Sequence, residues 1–190
     1  MARLHRMTAT MAGRAARWLV LALAATALGG CASGVASLPG GFTRYDAGRF
    51  SVAYPRDWRV AHRSEAAVQV LGPVGEGDVR HQLIIEVDHQ FAGDFDNAVD
   101  GVDELGGLLY QKDRKTVRDE EVAVAGAPRA RLLESTWTAE SPAHEEVRMR
   151  QYDLFALTRD HILIYLTVNS AAPDFDEARF RAIVGSFAVR

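Results

Sequence analysis

Apolar positions fall into three rhythms along the chain: one unbroken run near the start, period-two stretches through the middle, and two stretches at the helical period. Phe50-Ser51-Val52-Ala53-Tyr54-Pro55 alternates and stops at proline, which predicts a short strand. Trp58 to Ala61 continues after a turn, and Ala67 to Leu71 forms another strand that ends at Gly72-Pro73. Leu83, Ile85 and Val87 then share one face of a strand, with Glu86 on the other. From Asp94 to Gln111 the period changes. Phe95, Ala98, Val99, Val102, Leu105 and Leu109 recur at three- and four-residue steps, predicting a helix with one apolar stripe that Asp94 caps. Gly101, Gly106 and Gly107 each weaken that helix by about 1 kcal/mol relative to alanine. Either packing offsets this or the helix ends near Gly106.

Three longer strands follow. Ala130 to Thr138 and Val147 to Leu157 pair across the polar link Ala139–Glu146. Ile162 to Val168 is apolar on both faces, which predicts a central strand covered on both sides. The short link Thr158–His161 makes it a hairpin partner of the strand before it. The chain closes with a helix that starts at the acidic segment Asp174–Glu177 and sets Phe180, Ile183, Val184 and Phe187 on one face. Strands, helix, strands, helix is an α+β order, with the helices flanking an antiparallel sheet.

Composition narrows the class without changing this picture. The chain has 190 residues, 48% hydrophobic, 25% charged and 8% aromatic, values that exclude a disordered, collagenous or coiled-coil protein. A single cysteine excludes a disulfide framework and a cysteine-built zinc site. The net charge of −3 hides an asymmetry: residues 1–30 hold four arginines and no acid, and the remaining residues carry net −7. An acidic domain argues against nucleic-acid binding, which needs a basic face.

The unbroken run is Trp18 to Leu28 (WLVLALAATAL). A spanning helix needs about 20 apolar residues, so an eleven-residue run behind arginines reads as the core of a secretory signal. Met1, Met7 and Met11 all remain possible starts. The arginines are not adjacent, so a twin-arginine signal is not expected. The run ends in Leu28-Gly29-Gly30-Cys31, which resembles the bacterial lipobox, and Cys31 is the one cysteine of the chain. The resemblance implies cleavage between Gly30 and Cys31 and transfer of a diacylglyceryl group to the Cys31 thiolate. Two or more acyl chains hold a protein stably on a membrane. Ala32 to Gly41 (ASGVASLPGG) is small, flexible and uncharged, and ten extended residues reach about 35 Å. The expected organisation is a lipoprotein signal at 1–30, a lipidated cysteine and tether at 31–41, and one domain at 42–190. The expected location is the extracytoplasmic side of the cell membrane or the outer membrane.

Candidate chemistry is sparse. The sequence holds no G-x-S-x-G, H-E-x-x-H, P-loop or C-x-x-C motif. No two of His5, His62, His81, His89, His144 and His161 stand at the i, i+2 or i, i+4 spacing of a local metal pair. His81 and His89 lie eight residues apart and share one side of a strand. Asp88-His89 with Asp94, Asp96 and Asp100 makes an acidic cluster that offers either hard-cation ligands or helix-dipole complementation; the second is favoured, because a calcium loop's further ligands are missing. Gly72-Pro73-x-Gly75-x-Gly77 does not open a helix, so a turn is expected there rather than a phosphate loop. Trp58, Trp137 and Tyr165 are expected in the core, with a ligand-lined cavity between sheet and helix as the sharper alternative. No catalytic, metal-binding or cofactor-binding residue is assigned, and no cofactor is expected.

Phe50-Ser51-Val52-Ala53-Tyr54-Pro55-Arg56-Asp57-Trp58 resembles the opening of PsbP-like domains, and Phe180-x-x-Ile183-Val184-x-Ser186-Phe187 resembles their closing helix. With the lipobox, the chain is similar to actinobacterial LpqN-type lipoproteins of that superfamily. The resemblance implies an α/β/α sandwich on an antiparallel sheet and an accessory or binding role, with no catalytic residue to carry over. The function expected is that of a lipid-anchored, non-enzymatic accessory protein that binds other envelope proteins. The alternatives are a carrier or sensor of a small apolar or lipid ligand and, third, an enzyme whose site brings His89 to the carboxylates of Asp94 and Asp96.

Overall fold

The computed structural model describes residues 40–109 and 111–190, with side chains described to residue 102 in the first helix. The signal, the Gly30–Cys31 cleavage site and the tether up to residue 39 lie outside the described residues. The elements run β1 (Phe42–Asp46), β2 (Phe50–Pro55), β3 (Arg59–Arg63), β4 (Ala67–Val74), β5 (Arg80–Asp88), α1 (Phe95–Leu109), β6 (Lys112–Glu121), β7 (Arg129–Glu140), β8 (Glu146–Leu157), β9 (Leu163–Ala171), α2 (Glu177–Gly185) and β10 (Ala188–Val189). Seven strands form one antiparallel sheet in the order β3-β4-β5-β9-β8-β7-β6, and β1-β2-β10 form a second, smaller one. The fold is α+β. Among the described residues, no helix is long and apolar enough to cross a membrane.

β9 is the middle strand of the seven, and the burial of both its faces follows from what lies on each side. On one face, Val70, Leu83, Ile85, Leu154, Leu166 and Val168 meet Phe180, Ile183 and Phe187 at and after α2, together with Phe50 and Val52 of the small sheet. On the other face, Phe95 and Val99 of α1 pack on Leu133, Phe155 and Tyr165. The large sheet is thus sandwiched between α1 and a layer made of α2 and the small sheet. α2 starts within the acidic segment, but its cap is Asp176 rather than Asp174: the Arg179 N–H donates to the Asp176 carboxylate at 3.0 Å, while Asp174 lies in a preceding 3-10 turn and accepts from the Glu76 N–H. Arg150 on β8 donates to Glu134 at 2.7 Å and to Glu177 at 2.9 Å, tying the helix to the sheet beneath it.

α1 runs through Gly106 and Gly107 to Leu109, so the helix does not stop early. The sequence reading has no counterpart of β1 or β10, the two strands that flank β2 in the small sheet, and two strands of the large sheet also depart from it. β4 extends past Gly72-Pro73 to Val74 by way of a bulge, which puts proline where the ladder is already broken. β6 (KDRKTVRDEE) shows no apolar alternation, so periodicity does not reveal it. It is an edge strand, and both edges of the large sheet carry charged side chains and bulges that discourage further strand pairing.

Candidate functional site

The buried face under α1 holds a carboxylate that the sequence reading did not single out. Asp153 on β8 is fully buried and paired with Arg114 of β6 at 3.0 Å, both side chains being almost without exposure. Its oxygens also accept from Tyr165 Oη at 2.7 Å, from Thr167 Oγ1 at 2.8 Å and from Gln151 Nε2 at 2.8 Å. The register explains the convergence: Asp153 stands opposite Thr167 on β9, and Gln151 stands opposite Asn169. Each donor offsets part of the cost of burying the charge. Burial, reinforced by the Asp153 charge, pushes the Tyr165 phenol well above its ordinary range, so Tyr165 is a donor here. This network ties β6, β8 and β9 together beneath a helix and presents no open surface at Asp153.

Open space lies elsewhere. A cleft of about 480 Å³ is bounded by the β1–β2 turn, the β3–β4 turn and the exit of β5. Its floor is apolar, with Phe50, Val68 and Val87 all buried, and its rim carries Asp46, Arg49, Arg63, Glu65 and His89. A smaller crevice of about 170 Å³ lies beside α2, lined by residues such as Leu132, Tyr152, Leu154, Val184 and Phe187.

The residues singled out from the sequence do not converge. His89 Nε2 donates to the Glu65 carbonyl at 3.3 Å. Asp94 accepts from the Asn97 N–H at 3.0 Å and so caps α1. Asp96 receives Arg129 at 2.8 Å, and Asp100 lies 3.3 Å from Arg131. The acidic cluster is therefore helix-capping and ion-paired. The site that would bring His89 to Asp94 and Asp96 is corrected accordingly: each group is bound to a different part of the fold. Among the described residues, no group of three or more His, Cys, Asp or Glu is placed to hold a metal.

His81 lies near the start of β5, whereas His89 lies in the turn just beyond its end at Asp88, so the two do not share one face of the strand. The His81 ring is half-buried and packs edge-on against Trp58 and Phe180, and burial pulls its pKa below the ordinary 6.5. The Gly72–Gly77 loop binds a protein carboxylate: the Glu76 N–H donates to Asp174 at 2.6 Å, and a side chain at Gly75 would collide with that carboxylate.

Trp58, Trp137 and Tyr165 do not line one cavity. Trp58 packs in the core under Gly72 and against Phe180. Trp137 packs with Val79 and Ala139 beside Met149 and Ala171, and Tyr165 stacks on Phe155 at 4.7 Å across the sheet from α2. The expectation of an aromatic-lined ligand cavity between sheet and helix is corrected on these three residues.

No protein-family model matches the sequence, and no curated protein matches it. Solved structures do share the fold. A protein of unknown function from Pseudomonas aeruginosa, PA94, superposes with a TM-score of 0.54 at 16% identity, over 80% of this chain and 99% of its own. The Ran-binding protein Mog1p of Saccharomyces cerevisiae superposes with a TM-score of 0.51 at 9% identity, over 78% and 95% of the two chains. LpqN, involved in cell envelope biogenesis of Mycobacterium tuberculosis, reaches 0.49 at 12% identity over 78% and 84%, too weak to carry a family assignment. At such identities the likeness concerns the fold alone.

Proposed function

We propose that this chain is a lipid-anchored accessory protein of the cell envelope whose domain, residues 42–190, acts by binding other envelope proteins rather than by catalysis. The observation that carries the reading is the sequence Leu28-Gly29-Gly30-Cys31, placed directly behind an eleven-residue apolar run and holding the chain's one cysteine. Acylation of Cys31 and the uncharged tether after it put the domain just off the membrane surface. The residues that carry the PsbP-like resemblance take packing positions, which bear on fold rather than activity: Pro55 ends β2, Trp58 is buried, and the Phe187 ring lies 5.9 Å from that of Phe50. Mog1p, which shares the fold, is itself described as Ran-binding, so this architecture can serve protein recognition.

The carrier reading is weaker at the place first considered for it. The crevice beside α2, about 170 Å³, falls below the roughly 300–1,000 Å³ of sites for small organic ligands. The partner reading is tested by placing a photo-crosslinking side chain at each of the exposed apolar positions Val60, Val74 and Val117 in intact cells. A discrete adduct with one envelope protein, reduced when Cys31→Ala removes the anchor, is the expected outcome. Absence of a discrete adduct at all three positions contradicts it.

A further inference from the structure

Among the described residues, every edge of the two sheets but one is guarded against further pairing. β3 and β6, the edges of the large sheet, are broken by register shifts. β10 closes one side of the small sheet and is itself covered: the Val189 N–H donates to the Ala125 carbonyl at 2.8 Å, and a side chain at Gly126 would collide with the Val189 carbonyl. β1 is the exception. It runs in unbroken register with β2, from Phe42 opposite Pro55 to Asp46 opposite Ser51, and it holds no proline, glycine or bulge. The register also fixes where its backbone points. The Ala53 N–H donates to Ser186 Oγ at 2.7 Å, on the β10 side of β2, so the opposing Arg44 exchanges no hydrogen bond with Ala53. The Arg44 N–H and C=O therefore face outward, and by alternation so do those of Phe42 and Asp46. The Phe42 carbonyl accepts from Arg56 Nε at 2.9 Å. The Arg44 N–H and C=O have no partner among the described residues.

The charge beside this edge is one-sided. Residues 42–63 hold five arginines and two aspartates, although residues 31–190 together carry net −7. Arg56 brings its guanidinium to the outer edge of β1 at Phe42, and Arg44 stands at mid-strand, donating to Ser51 Oγ at 3.1 Å. Neither forms an ion pair among the described residues. Asp46, the one acid of the strand, is neutralised by Arg190 at 2.6 Å. Asp57, next to Arg56, directs its charge at His81. The edge thus offers one free backbone donor and acceptor at Arg44, with a cation at that position and a second beside Phe42.

We infer that β1 is a docking edge for an extended segment of a partner protein, which adds to the small sheet as a fourth strand and sets acidic residues opposite Arg44 and, two positions on, beside Arg56. The inference rests on the partner reading and names the partner's chemistry. The added strand is antiparallel, as both neighbouring pairs of this sheet are. Main-chain hydrogen bonds to the Arg44 N–H and C=O supply the pairing, and the alternate side chains supply the choice. A residue directly opposite Arg44 has its Cβ about 4.5–5.5 Å away, so a carboxylate there is favoured and a cation disfavoured. Opposite Asp46 the segment is neutral, because Arg190 already holds that carboxylate.

The test is fluorescence anisotropy of three labelled probes against the full chain in phosphatidylcholine nanodiscs, with empty nanodiscs as the blank. The probes are a short peptide that alternates valine with glutamate, its lysine counterpart, and the glutamate peptide N-methylated at every glutamate. The expected result is saturable binding of the first, with the other two at least tenfold weaker, and slowed amide hydrogen exchange at Arg44 when the first is bound. Arg44→Glu weakens the glutamate peptide at least tenfold and strengthens the lysine peptide. Lys115→Glu, an exposed reversal on β6 at the far edge of the large sheet, changes neither, and circular dichroism shows both variants folded. No saturable binding, equal binding of the three probes, or equal loss in the two variants each overturns the inference. Slowed Arg44 exchange that grows with protein concentration in the absence of peptide also overturns it, since a second copy is then the occupant. If no peptide binds while a discrete adduct forms at Val60, Val74 or Val117, strand docking falls and the partner reading stands.

Discussion

Asp153 shows how a single residue is supported by several elements at once. Its carboxylate is fully buried, paired with Arg114, and hydrogen-bonded by Tyr165, Thr167 and Gln151. Removing it breaks a buried ion pair and leaves the Arg114 guanidinium without its carboxylate, so Asp153→Ala should lower the unfolding free energy by about 3–5 kcal/mol, read by urea denaturation. The double variant Asp153→Leu, Arg114→Met should lose much less than the two single losses combined, because it removes both charges; additive losses would contradict the pairing. None of this was legible in the sequence. Asp153 stands at the head of the apolar run Leu154–Leu157, and apart from Gln151, two residues before it, its partners lie 12, 14 and 39 residues away, beyond any local spacing rule. His81 adds a pH dependence. Burial lowers its folded pKa below 6.5, against the upward pull of Asp174 and Asp57 and alongside the downward push of Arg179. The unfolded chain therefore takes up this proton first. The stability that neutral His81 contributes is complete above the unfolded pKa and is lost as pH falls from about 6.5 toward the folded value. His81→Phe, which keeps a ring against Trp58 and Phe180, should reduce the drop in urea midpoint between about pH 7.5 and 5.5.

At the scale of elements, periodicity succeeds where one face of an element is apolar and fails where both are polar. α1 was expected over Asp94 to Gln111 and spans Phe95–Leu109, because its stripe packs on Leu133 and Phe155. The pairs β7–β8 and β8–β9 follow the predicted hairpins, and β9 is central, as its two-faced apolar sequence implies. β6 escapes the same reasoning: its inward side chains are polar, with Arg114 reaching Asp153 and Glu120 lying 4.0 Å from Arg181 of α2. The stability of α2 divides accordingly between packing and cap. Phe180→Ala empties a fully buried site beside Trp58 and Phe175 and should cost about 3–5 kcal/mol. Asp176→Ala removes the cap and an exposed ion pair with Arg179 and should cost about 1 kcal/mol. Comparable losses from the two would contradict the view that α2 is held chiefly by its apolar face.

For the whole molecule, the α+β sandwich was readable from the order and period of the apolar runs. The candidate site was only partly so. His89 was singled out from its sequence neighbourhood, but its place is at the rim of a cleft with Arg49 and Arg63, which three separate turns bring together. Turn-borne side chains carry no periodicity, so only the assembled topology reveals them. The proposed address of the protein rests on a different kind of signal, a local motif that needs no fold. If Cys31 is the acylated residue, Cys31→Ala should move the protein out of the membrane fraction or leave the signal uncleaved. The most direct test of the whole account is mass spectrometry of the mature N-terminal peptide, isolated with detergent from the native envelope. The account predicts a chain that begins at Cys31 and carries a diacylglyceryl mass on that residue. A mature N-terminus elsewhere, or an unmodified Cys31, would contradict it.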